Sequence, residues 1–140
     1  MKSAARLALL LFAAAAVGCD SPRQQLDSHK LALAAKSLAS LCAEAELLVH
    51  ELGSGTVTVN FALVHQDALA QETLKLAKQL AKPVPDDLRS THQRELAINA
   101  RLQSGLGQIA AAPAQPARLA RLEQQFHALK ADARALEQQP

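Results

Sequence analysis

Three side chains near the first chain reversal carry the donor types of a metal site. Glu46 and His50 are four residues apart, so on a helix they share a face one turn apart. His65 follows across Gly53-Ser-Gly55, and an antiparallel hairpin around that turn brings His50 and His65 to the same end. Ferritin-like bundles hold metals with Glu-x-x-His pairs on facing helices. Here the spacing is Glu-x-x-x-His, no second such pair exists, and His92-x-x-Glu95 runs in reverse order. No cofactor is therefore expected. Glu46, His50 and His65 stand only as weak candidates for a metal or small ligand. Solvated side chains explain Glu46 and His50 equally well, and a half-buried, hydrogen-bonded ring explains His65.

His92, Glu95 and Asn99 form a second polar row, sharing a helix face with Leu88 and Leu102. A tilted, partly solvated helix accounts for it, and a buried polar layer or a partner's polar group are the alternatives. Cys42 falls on an apolar stripe, where cysteine acts as a small hydrophobe and its thiolate is disfavoured. Ser104-Gly-Leu-Gly107 is not a nucleophile elbow, and no Cys-x-x-Cys-His or phosphate-cradling glycine loop occurs. No residue set for an enzyme can be assembled.

The elements that position these groups read as helices throughout. Alanine, leucine, glutamine and glutamate are abundant, and glycine is scarce at 5 residues. Asp27 or Ser28 can cap a first helix whose stripe (Leu31, Ala35, Leu38, Cys42, Ala45, Val49, Leu52) recurs at +4 and +3 steps until Gly53-Ser-Gly55. Thr56 to Asn60 alternates like a strand, but no partner strand exists, so Thr56 or Thr58 is read as the cap of a second helix ending near Lys82. Its first half (Val57, Val59, Phe61, Ala62, Leu63, Val64) is apolar almost all round and is expected to be buried on two sides. Lys82-Pro-Val-Pro85 breaks the chain before a third helix opened by Asp86 and Asp87, with Leu88, Ile98, Leu102, Leu106 and Ile109 facing inward. After Pro113 and Pro116, Leu119, Leu122, Phe126, Leu129, Ala133 and Leu136 keep a strict 3,4,3,4,3 spacing. The fold class is all-α, a small antiparallel bundle of three to four helices. Its last helix either closes the bundle or pairs with another chain.

Location is written at the start of the chain. Lys2 and Arg6 precede a purely apolar run from Leu7 to Val17, closed by Gly18 and Cys19. A membrane span needs about 20 apolar residues, so the run suits a cleaved signal better. The ending Ala16-Val17-Gly18-Cys19 resembles the lipobox of bacterial lipoprotein precursors, with Ala16 where that family most often has leucine. The resemblance covers only the first 19 or so residues. It implies cleavage before Cys19, acylation of its sulfur and new amine, and three acyl chains holding the protein on a membrane. Facing the periplasm is then expected. Asp20 resembles an inner-membrane retention signal, with the outer membrane as the alternative. Cys42 would be the sole thiol, so no internal disulfide could form.

The domains expected are 1–18 as signal, 19–27 as lipidated cysteine and tether, 28–112 as a three-helix core, and 113–140 as the C-terminal helix. Removing Lys2 and Arg6 from the 15 cations of the chain leaves 13, equal to the 13 acids. So balanced a surface argues against nucleic acid and against electrostatic adhesion to anionic headgroups. With no Trp or Tyr and only Phe12, Phe61 and Phe126, an aromatic-walled ligand pocket starts at a disadvantage. The function expected is a membrane-anchored, non-enzymatic interaction or scaffold component of an envelope assembly. It would bind a protein partner, or itself, through Leu119, Leu122, Phe126, Leu129 and Leu136. A helical-bundle metal or ligand carrier using His50, His65 and Glu46 is the alternative.

Overall fold

The computed structural model describes residues 25–139. Cys19 and the lipobox-like residues before it lie outside them. The described residues form four helices and no strand.

Helix α1 spans Ser28–Gly53. The Asp27 carboxylate caps it by accepting the Lys30 backbone N–H at 2.8 Å, satisfying a donor that the first turn cannot. The helix stops where Ser54 N–H returns to the His50 carbonyl oxygen and Gly55 takes a φ of 74°, a left-handed conformation that only glycine adopts without strain. Thr58 opens helix α2 (Val59–Leu80), its hydroxyl accepting the Phe61 N–H at 3.2 Å. After the proline break, Asp86–Leu88 makes one 3-10 turn that leads into helix α3 (Arg89–Ile109). Pro116 is the first residue of helix α4 (Pro116–Glu137), a position whose N–H is not needed.

Successive helices run antiparallel, as the cross-helix pairs show. Glu44 meets His65, Asn99 reaches the Thr73 carbonyl, and Gln125 reaches that of Arg101. Helix α1 makes its most extensive packing with α4 and far less with α2. Small buried residues explain the difference. Ala35, Ala39, Cys42 and Ala45 on α1, with Ala133 on α4, keep side-chain volume low and so suit close packing. One core of aliphatic side chains plus Phe126 runs the length of the bundle.

The domain begins slightly earlier than the sequence suggests. Leu26 is buried, and its N–H donates to the Pro83 carbonyl at 3.0 Å, so residues 26 and 27 belong to the fold and not to a tether.

The larger departure concerns α2. Ala62 is buried, but Phe61 and Val64 are 54% and 73% exposed. The inner row of α2 is Ala62, Leu69, Thr73, Leu76 and Leu80, and a helix at the corner of a four-helix bundle buries only one such stripe. No fifth helix among the described residues covers the rest.

Candidate functional site

The C-terminal seam is interior. Leu119, Leu122, Phe126, Leu129 and Leu136 are all buried, Phe126 completely. The heptad spacing that suggested a partner surface is satisfied within the chain, because α4 lies between α1 and α3 and turns its single apolar stripe toward both. The expectation of an exposed docking seam is corrected accordingly. The other option kept open, that α4 closes the bundle, is the one observed.

The three weak metal candidates do not converge. Glu46 and His50 face α4. His50 Nδ1 lies 3.0 Å from the Glu123 carboxylate, His127 Nδ1 lies 2.8 Å from Glu46, and the Lys130 ammonium donates to the same carboxylate. Burial pushes the Glu46 carboxyl upward, but the bonds from Lys130 and His127 outweigh it and hold the group below the usual carboxylate range. His65 points to a different partner, Glu44, at 3.9 Å. Among the described residues no group of three or more His, Cys, Asp or Glu side chains could hold a metal ion. The Glu46 cluster is an ionic clasp between α1 and α4.

Two members of the polar row of α3, Glu95 and Asn99, are buried, and His92 is half-buried. Glu95 is fully inaccessible and Asn99 nearly so. Neither oxygen of Glu95 accepts a hydrogen bond from the described residues, and burial pushes its carboxyl up to about 7. Asn99 Nδ2 donates to the Thr73 carbonyl at 3.3 Å, and the His92 ring bonds that of Leu80. Apart from the orphaned Glu95, the row ties α3 to the backbone of α2. Cys42 is fully buried as expected, and burial raises its thiol to about 12, assisted by the charges of Asp132 and Glu46.

What sequence reasoning missed is the outer face of the α1–α2 hairpin. The Glu44–His65 pair sets the register, and one turn farther toward the reversal come Leu47 on α1 and Phe61 on α2. Leu47 is 55% exposed, Phe61 stacks its ring on His65 at 5.9 Å, and Val64, one turn along α2 from Phe61, is more exposed still. Toward the other end this face opens into a groove of about 650 Å³, with Leu33, Leu41 and Leu76 as its apolar lining and Lys36 and Lys75 at its margin. Its one readable signal was the all-round apolarity of residues 57–64, which marks either double burial or an uncovered surface.

No family model, curated protein or solved structure matches this chain. No described helix is long and apolar enough to cross a membrane.

Proposed function

We propose that this chain is a lipid-anchored helical docking module of a bacterial envelope. It would be acylated at Cys19, face the periplasm and bind a partner protein without doing chemistry itself. The observation that carries the docking part is the uncovered apolar cluster of Leu47, Phe61 and Val64. Exposed apolar clusters of this kind mark interaction sites more often than chance. The anchoring part rests on the lipobox-like residues. The two fit together geometrically. Six residues from Cys19 to Gln25 reach at most about 20 Å, so the N-terminal end of α1 stays near the bilayer. Leu47 is 20 residues beyond Asp27, about 30 Å along the helix, so an upright bundle holds the cluster clear of the lipid.

A photo-crosslinking residue in place of Val64, in living cells, tests the docking. Capture of one defined envelope protein there, and not from a control position such as Arg134, supports the reading. Absence of any protein crosslink from Val64 removes it. Thiol counting after full denaturation tests the anchor separately. A thioether at Cys19 leaves one titratable thiol, Cys42, whereas an unmodified chain shows both cysteines.

A further inference from the structure

We propose that the hairpin face around Leu47, Phe61 and Val64 receives a cationic amphipathic helix of the partner protein. The proposal rests on the docking reading above and adds the chemistry of the occupant. Between Lys36 and Lys75 the chain contains no lysine or arginine at all, yet it holds Glu44, Glu46, Glu51, Asp67 and Glu72. Glu46 is turned toward α4 and engaged there, and Glu72 is paired with Lys75. Glu44, Glu51 and Asp67 remain around the apolar cluster: Glu44 and Glu51 lie one turn before and after Leu47, and Asp67 lies one turn after Val64. The imidazole of His65 shares this rim from within the hairpin, at 3.9 Å from Glu44.

An apolar centre with an acidic rim is complementary to an amphipathic helix whose leucine-like stripe is flanked by lysine or arginine. Two other occupants fit worse. An anionic bilayer would place its phosphates against Glu44, Glu51 and Asp67, the reverse of the basic surface that binds such membranes. A second copy pairing through the same cluster about a two-fold axis would bring its own acidic rim against this one. The acidic character ends toward the far end of the face, where Lys75 is neutralised by Glu72 and Lys36 borders the groove, so a bound helix is also given a direction. Its cationic part lies over the hairpin turn, and any acidic part over Lys36.

The test uses the full chain as isolated from cells, held in phosphatidylcholine nanodiscs, with two fluorescent 18-residue probe peptides. Both carry the same leucine stripe, one with lysine and one with glutamate on the polar face. At about 0.1 M salt the lysine peptide should bind at least tenfold more tightly than the glutamate peptide, and added salt should weaken it. Phe61→Asp with Val64→Asp should weaken the lysine peptide about tenfold or more. Glu44→Lys, Glu51→Lys and Asp67→Lys together should reverse the preference, a result that lost folding could not imitate. Equal binding of both peptides, insensitivity to these variants, or no binding up to about 1 mM overturns the proposal. So does recruitment of the soluble Cys19→Ser chain to phosphatidylglycerol vesicles through Phe61. If Val64 still crosslinks to a protein in cells while the peptides are not discriminated, docking stands and the cationic partner falls.

Discussion

A methyl group added to Gly105 would lie 2.6 Å from Cε1 of Phe126, inside the distance at which carbon atoms pack. Helices α3 and α4 approach closely here because α3 contributes only a hydrogen atom opposite the largest buried side chain. Glycine in mid-helix ordinarily weakens a helix by about 1 kcal/mol relative to alanine. At this position the alternative is worse. Gly105→Ala is expected to destabilise the bundle by about 1–3 kcal/mol, as overpacking does. Urea unfolding followed by circular dichroism reads the change, and a variant as stable as the parent would show that α4 shifts freely.

The interior position of the α4 seam makes a sharper demand. Leu122→Asp with Leu129→Asp buries two carboxylates in the core, and the domain should lose its cooperative melt altogether. Retained helicity and melting would show instead that the seam leaves the bundle without unfolding it.

Glu95 sets a pH dependence whose direction can be worked out. Its carboxyl titrates near 7 in the fold, against an ordinary value of 4.5. Between those values the native chain holds the proton and the unfolded chain does not, so stability should fall as pH rises through this window. Above 7 both states are ionised and the loss is complete. The window represents about 3 kcal/mol at full amplitude. Glu95→Gln should remove the slope between pH 5 and 7.5 in denaturant titrations. A wild-type profile that is flat or rising there would mean that the carboxylate finds water or a cation.

The clasp between α1 and α4 behaves in the opposite sense. Glu46 is held below its ordinary range, so its contribution is present at neutral pH and lost as acid protonates it. A double-mutant cycle of Glu46→Gln and Lys130→Met should give a coupling of about 1 kcal/mol at pH 7, fading toward pH 3. Coupling that survives at pH 3 would assign the pair's effect to packing of the side-chain stems.

Cys42 should resist thiol reagents in the folded state. It is fully buried and its thiol is raised to about 12, so almost no thiolate exists at pH 8. Labelling is expected only at the rate of unfolding, measured with a chromogenic disulfide reagent as denaturant is added. Prompt labelling would reveal an opening of the α1–α4 seam.

Which segments are helical, and where they stop, follows from local chemistry. The Asp27 and Thr58 caps, the Gly55 turn, the Lys82–Pro85 break and Pro116 at the start of α4 each act over a few residues, and the sequence contains them whole. Cys42 on an apolar stripe was legible for the same reason. The fate of a face was not, because burial depends on what other helices are present to cover it. The 3,4,3,4,3 seam of α4 and the apolar start of α2 look equally in need of a partner in one dimension. In the bundle α1 and α3 supply that partner for Leu122 and Phe126, and among the described residues no helix supplies it for Phe61 and Val64. Glu95 shows the same division. Its place on an inward row is periodicity, but its lack of a hydrogen-bonding neighbour among the described residues is decided only where α3 meets the rest of the bundle. The sequence alone determined the helices, their ends and the lipobox-like start. The tertiary structure decided which apolar stripe is core and which is surface, because four helices can each turn only one stripe inward.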